Sequence, residues 1–442
     1  RILRVAVKFG IPLRVVRAII NPAVAHKQAE QFGRQLCAQA MLAEPATSAQ
    51  RLDHAQQILL SAVVPLLPKV FPSALAGFAM FAVARRLLGN RAEPADLQEI
   101  QRALPHNITT EMDLELWQLA TRIRADQPTA QLFLDSPVSG LADRFRAGTL
   151  PSFGLEEFLE HYGHRAVAEI DLGMPRWVDD PTHILGVLAN YLRLDDPALA
   201  PDAQFARGAE SARAAIDRLV AKAPGIRGRV VRFALQRGRL LVGLREMPKY
   251  HLVTALGAVR RAVMAVGEEL VAAGKLDAVD DVFFLDFQEM RAGADNRELV
   301  ASRRAAYDQE LRRRRLPRVM LSDGTEPEAL SQPVSAENGA LPGTPASAGT
   351  VTGVARVVLD PVGARLEPGE ILVAPSTDPG WTPLFLTAGG LVMEMGGANS
   401  HGAVVAREYG IPAVVGVTDA THRIRTGQTI TVDGATGTVT PS

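Results

Sequence analysis

The sequence predicts a multidomain α+β protein. A large, mainly helical domain occupies residues 1–325 and a small α/β domain occupies 342–442, with a linker at 326–341. Three observations carry this. Up to about residue 315, apolar residues recur at helical spacing, as with Leu116, Leu119 and Ile123 around Trp117. From about Leu316 to Leu341 the composition shifts to Pro, Ser, Gly, Glu and Ala without periodicity, which reads as a connecting segment. Beyond it, short apolar strands alternate with glycine turns, and the Asp433-Gly434 pair signals a closing hairpin.

Composition bounds the function classes. A chain of 442 residues suggests about two to four domains at roughly 150 residues each. With 47% hydrophobic and 22% charged residues, it has material for large cores and is not a disordered chain. Lys plus Arg equal Asp plus Glu at 48 each, so no global field recruits nucleic acid or an anionic membrane. The single Cys37 rules out an intrachain disulfide and fits a reducing cytoplasm.

In chain order, the first residues are amphipathic, with Ile2, Leu3, Val5, Ala6 and Phe9 opposite Arg1, Arg4 and Lys8. No cleavage pattern follows this basic start, and it reads as a boundary inside a longer polypeptide. Residues 51–90 read as two apolar helices separated by a kinked turn at Pro65, Pro68 and Pro72. No uninterrupted run of about 20 apolar residues occurs there, so a membrane span is not expected. Val64, Leu67, Phe71, Phe78, Met80 and Phe81 are candidates to line a pocket for a large apolar ligand; core packing accounts for them equally well.

Helices are expected over 94–126 and 127–146. The polar stretch 153–181 follows, with His161, His164, Arg165, Glu169, Asp171, Arg176 and Trp177. It lacks the spacing of a metal site and reads as a polar network tying loops to helices. Residues 203–240 read as a basic helix or helical pair with a solvated face, since no aromatic platform accompanies the arginines. Arg245 and Lys249 are four apart, and a continuous helix would set both cations on one face; Pro248 leaves that open. Such a pair suits phosphoryl transfer, where positioning and charge stabilisation dominate, and equally suits a surface ion pair. Arg260 and Arg261 are weaker candidates that could pair with Glu268 or Glu269. A turn into a short buried strand is expected at 276–285, and a charged helix at 296–315.

The densest chemistry lies at Gly396 to Gly416. A strand at 391–394 runs into a diglycine turn, and a short helix from about His401 to Glu408 stops at Gly410 with Pro412 beyond. His401 therefore occupies a first helical turn, where unpartnered N–H groups and the positive end of the dipole disfavour an imidazolium and favour a phosphate. A neutral imidazole there can attack a phosphoryl group, with Gly397, Ser400 and Gly402 forming the phosphate loop; a histidine filling an N-terminal turn is the plainer alternative.

The run Gly396-Gly397 … Ser400-His401-Gly402-Ala403 … Arg407-Glu408-Tyr409-Gly410-Ile411-Pro412 resembles the phosphohistidine domain of phosphoenolpyruvate-utilising and dikinase-like enzymes, over about Pro342 to the end. Thr377 to Pro383 matches the same domain, and its polar residues are expected beside His401. Gly402 stands where many dikinases have Ala, and Ala398-Asn399 replace residues that are often bulkier or Thr. With the His164-Arg165, Glu169-Ile170-Asp171-Leu172, Pro175-Arg176-Trp177 and Arg245-Glu246-x-Pro248-Lys249 motifs, the chain looks most like rifampicin phosphotransferases.

That resemblance implies a substrate-binding helical domain and a swivelling phosphohistidine domain. It also implies a reaction that splits ATP into AMP and phosphate and places the β-phosphate on an ansamycin hydroxyl. His401 would be the phosphorylated nucleophile, and Arg245 and Lys249 the catalytic cations. ATP and Mg2+ would belong to an ATP-grasp domain upstream or in trans, since no Gly-rich phosphate loop of the P-loop type occurs here. The expected partner is an apolar, rifamycin-like acceptor, with no nucleic acid, membrane or metal site in this chain. Only 41 residues follow His401, which disfavours an appended phosphoenolpyruvate barrel. A condensing enzyme acting on another small acceptor, or a drug-sequestering protein without catalysis, are the other readings.

Overall fold

A computed structural model describes residues 10–43, 45–194, 196–312, 320–325, 339–361, 364–377, 381–397 and 400–441, and the side chains of 61–68, 94 and 383 lie outside that description. From residue 11 to 311 the chain is helical, and from 341 onward it forms one mixed sheet with short helices. The expected α+β order is observed. Residues 326–338 of the expected linker lie outside the described residues, and the first strand begins at Leu341.

Three apolar cores organise the helical region. One gathers the helices Ile11–Ile20, Pro22–Ala40 and Ser48–Lys69 around Met247–Ala272. A second packs Ile108–Ala125 with Thr182–Leu192 and the short helices between them, through Met112, Phe133, Ile184 and Leu188. The third joins the end of Phe71–Leu88 to Pro201–Ala221 and Ile226–Val242. The basic stretch 203–240 is thus a helical pair, broken at Gly225, whose φ is +65°. Some of its cations meet carboxylates: Arg218 and Lys222 converge on Asp96, and Arg232 meets Asp217 at 2.7 Å, while Arg239 donates to the carbonyls of Ile100, Arg102 and Ala103.

Three local expectations are corrected. The helix Ser48–Lys69 runs through Pro65 and Pro68, and the break falls at Val70; Pro72 sits in the first turn of Phe71–Leu88, where its missing N–H costs nothing. Segment 127–146 is two helices, Gln127–Asp135 and Val138–Arg146, parted at Ser136-Pro137. The strand expected near 282–285 is a 3₁₀ turn, Val279–Phe284, because Asp281 accepts from the Ala278 N–H at 2.9 Å and pairs with Arg304.

Among the described residues, Phe71–Arg91 is long and apolar enough to cross a membrane by length and composition, which the reading of 51–90 had not anticipated. In the fold, its helix packs against Ile226–Val242. Phe81 lies over Gly238 so closely that an added Cβ would come within 2.4 Å of the ring.

The C-terminal sheet has eight strands: β1 Leu341–Pro342, β2 Thr344–Ser347, β3 Thr350–Val357, β4 Ile371–Ala374, β5 Gly390–Met393, β6 Ala413–Val415, β7 Thr429–Asp433 and β8 Thr438–Pro441. Their order is β1-β8-β7-β3-β4-β5-β6-β2. The central β3, β4, β5 and β6 are parallel and flanked by antiparallel pairs. β4, β5 and β6 are buried at every position, as parallel strands covered on both faces must be. Helix His401–Tyr409 follows β5, so His401 stands beyond the carboxyl end of a central strand, where open α/β sheets bind ligands.

Candidate active site

Ser400 is the N-cap of His401–Tyr409 and has extended backbone, with φ −66° and ψ 157°. Its hydroxyl does not cap the helix. It donates back to the Gly397 carbonyl at 2.8 Å, closing the turn. Gly402 sits in close packing: an added Cβ would lie 2.4 Å from both Met393 Sδ and Thr377 Oγ1, so either side chain would have to shift. Thr377 thus packs against the start of the helix, beside His401, while Asp378 to Gly380 lie outside the described residues. Gly397 faces open space. At the other end Gly410 takes the left-handed conformation, φ +72°, and stops the helix as its position suggests.

His401 is half-buried, but its Nε2 is out of solvent and has no hydrogen-bond partner among the described residues. Burial pushes its pKa down to about 3, helped by the charges of Lys249, then Arg165, and more weakly Arg245; Glu169 opposes. The imidazole is therefore neutral at pH 7 and keeps a lone pair. Because the docked ring resists protonation, docking is favoured above the ordinary value of 6.5 and loses that contribution as pH falls from 6.5 toward 3. In a nitrogen-resolved NMR titration, His401 is expected to stay neutral down to pH 5; a midpoint near 6.5 in the docked protein would contradict this.

Arg165 and Lys249, which face His401, both pair with the buried Glu169. Arg165 Nε donates to Glu169 Oε2 at 2.6 Å, and Lys249 Nζ donates to Glu169 Oε1 at 2.8 Å. Burial raises the Glu169 pKa, but the Arg165 and Lys249 charges and hydrogen bonds outweigh it and hold the carboxyl below its ordinary value. Arg176, fully buried, donates to the carbonyls of Glu169 at 2.8 Å and Asp171 at 3.2 Å. Arg260 reaches the Leu172 carbonyl at 2.6 Å and Asp179 at 3.2 Å, so it braces this loop and does not pair with Glu268 or Glu269. Glu269 instead meets Arg51 at 2.6 Å. The stretch 164–179 is thus the polar network expected, and among the described residues no cluster suited to a metal ion occurs.

Arg245 and Lys249 are not on one continuous helix face. Arg245 lies in the 3₁₀ turn Gly243–Glu246, and Lys249 lies in the first turn of Met247–Ala272. Lys249 meets Glu169, whereas Arg245 meets Glu408 of the C-terminal domain at 3.2 Å and Glu246 at 3.4 Å. Of the apolar candidates, Phe71 and Phe78 are 46% and 44% exposed on one face of their helix, with Leu75 between them. Met80 and Phe81 turn toward the core shared with Ile226–Val242. Val64 and Leu67 fall among the side chains outside the description.

Sequence reasoning did not single out Arg165, Glu169 and Glu408 for the site. The signals for the first two were the four-residue spacing of opposite charges and the family-like motifs that contain them. Glu408 carried a subtler one, standing seven residues after His401 on the same side of a helix.

Residues 69–246 match the rifampicin phosphotransferase fourth domain, and residues 366–437 match the mobile domain of PEP-utilising enzymes. The chain belongs to the rifampicin phosphotransferase family. It is 39% identical over 345 residues to a rifampicin phosphotransferase of Streptomyces sviceus and 35% identical over 355 residues to that of Bacillus subtilis, covering 75% and 76% of this chain. It is also 33% identical over 294 residues to the prodigiosin synthesizing transferase of Serratia marcescens, covering 64% of this chain and 32% of that protein. The chain spans about 40% of the length of the two rifampicin phosphotransferases. Within the family, His401 lies in the mobile domain, whereas Arg165 and Glu169 lie in the fourth domain.

Proposed function

We propose that this chain forms the acceptor and carrier parts of an ATP-dependent phosphotransferase. An ATP-grasp domain, in cis or in trans, binds ATP and Mg2+ and passes the β-phosphate to His401. The phosphohistidine then delivers it to a hydroxyl of a rifamycin-type acceptor, with AMP, inorganic phosphate and the phosphorylated, inactivated antibiotic as products. His401 is the nucleophile of this covalent relay. Lys249 and Arg165 stabilise the charge of the phosphoryl oxygens as the group leaves, and the helix N-terminus with Gly397, Ser400 and Gly402 cradles the group while it is carried. The exposed stripe of Phe71, Leu75 and Phe78 offers apolar surface for the acceptor, and the 442-residue chain with its single cysteine fits a cytoplasmic setting.

The observation that carries this reading is an unpartnered, neutral His401 Nε2 facing Lys249 and Arg165 from the other domain. The test combines this chain with an ATP-grasp domain of the family, Mg-ATP and rifampicin, and looks for a drug heavier by one phosphoryl group. Phosphate on His401 with no modified drug would keep the relay and discard the acceptor. A second reading, a condensing enzyme acting on another small acceptor, is favoured by the similarity to the prodigiosin synthesizing transferase. It predicts a phosphorylated His401 and no rifampicin product.

A further inference from the structure

The interface between the two domains holds a second built polar site, and the reaction outlined above leaves it unused. Glu408 is buried at the far end of the His401 helix. Its carboxylate accepts from Asn107 Nδ2 at 2.6 Å, Thr110 Oγ1 at 2.7 Å and Arg245 Nη2 at 3.2 Å, all three on the helical side. Around it, an added Cβ at Gly208 would lie 3.5 Å from the Glu408 carbonyl oxygen, and one at Gly410 would meet the Arg102 guanidinium at 2.5 Å. At both glycines there is little room for a side chain.

Helical geometry links this socket to the reacting atom. Seven residues of α-helix turn through about 700°, nearly two full turns, and advance roughly 10.5 Å, so His401 and Glu408 lie on one side of the same helix. Across the interface, Arg245 and Lys249 are four residues apart in the opposite order: Arg245 meets Glu408, and the Lys249 charge acts on His401. Two points of contact on one helix fix both its direction and its height.

We infer that Glu408 is a positioning residue, the docking key of the mobile domain: its carboxylate enters the Asn107–Thr110–Arg245 socket and thereby sets His401 opposite Lys249. Arg245 belongs to docking, and the pair Arg165 and Lys249 serves the phosphoryl group. A buried ion pair of this kind gives orientation more than adhesion, because withdrawing the carboxylate returns it to water and recovers its hydration. A carrier that must both dock and leave needs that balance. The inference rests on the reading of residues 342–442 as a domain that travels.

Docking can be measured without phosphate. The Ala348 N–H donates to Gln98 Oε1 at 2.7 Å across the same interface, so a Gln98→Cys/Ala348→Cys pair in a Cys37→Ser chain reports docking through its rate of cross-linking by a short bismaleimide. Glu408→Ala is expected to slow cross-linking at least tenfold, Arg245→Glu to do the same, and the swap Arg245→Glu/Glu408→Arg to restore the rate to within about threefold, a rescue that general packing damage would not show. If thermal unfolding shows that Glu408→Ala does not fold, Glu408→Gln takes its place. An unchanged cross-linking rate in the folded variant, or single defects that the swap does not relieve, would overturn the inference. Should cross-linking respond to Glu408 while the parent chain never accepts phosphate on His401, the functional reading falls and the docking key stands.

Discussion

His401→Ala is expected to remove phosphorylated product altogether, with turnover falling on the order of 10⁴-fold or more, as when the nucleophile of a covalent relay is deleted. The described neighbours supply no substitute. His164, the next histidine in the cluster, has its Nε2 against Thr254 Oγ1 at 3.1 Å, and burial with the adjacent Arg165 charge pushes its pKa down to about 3. Fold stability should change little, because the ring makes no hydrogen bond through Nε2 that the fold would lose. The measurement is intact mass of the protein after incubation with the donor domain and Mg-ATP, alongside product mass. A phosphorylated His401→Ala chain, or drug product from it, would remove His401 from the relay.

Lys249→Met should separate the two half-reactions. Its ammonium is the strongest charge acting on His401 and belongs to the acceptor side of the interface. Loading of His401 at the donor domain should stay within about threefold, while transfer to the acceptor drops by about 10²–10³, the usual effect of deleting one preorganised charge at a transferring group. The docked His401 should also titrate at a higher pH, since Lys249 is the leading charge that holds its pKa down after burial itself. Single-turnover transfer from preloaded protein reads the first effect and NMR the second. An equal fall in both half-reactions would place Lys249 in folding or general stability instead.

What the sequence disclosed depended on the range of the interaction. The His401 helix was legible end to end, because the diglycine turn before it and Gly410 with Pro412 after it are local signals whose meaning does not require the rest of the fold. The helical character of 203–240 and the strands β4 and β5 were legible locally as well, the strands as short apolar runs between glycine turns, whereas β6 was not read as a strand. The break in 51–90 was misplaced because prolines in a first turn or tolerated mid-helix look identical, in sequence, to prolines that end a helix. The 3₁₀ turn at Val279–Phe284 was taken for a strand because Val282 to Leu285 is an apolar run, and the deciding contact, Asp281 with Arg304, is 23 residues away. The partner of Arg245 was out of reach altogether, since Glu408 lies 163 residues later in another domain. Motif spacing pointed to His401, but only the folded chain gives the two cations different partners, Glu408 for Arg245 and Glu169 for Lys249.

The brace of buried arginines has a consequence for how such a protein diversifies. Arg165, Arg176 and Arg260 anchor the 164–179 loop to backbone carbonyls and carboxylates within the helical region. The exposed Phe71, Leu75 and Phe78 stripe belongs to a helix whose buried side packs on other elements. If that stripe receives the acceptor, as proposed above, substitutions on it would change which molecule is received and leave the charges around His401 in place. On that reading the receiving surface and the reactive centre can change independently, because they rest on separate packing.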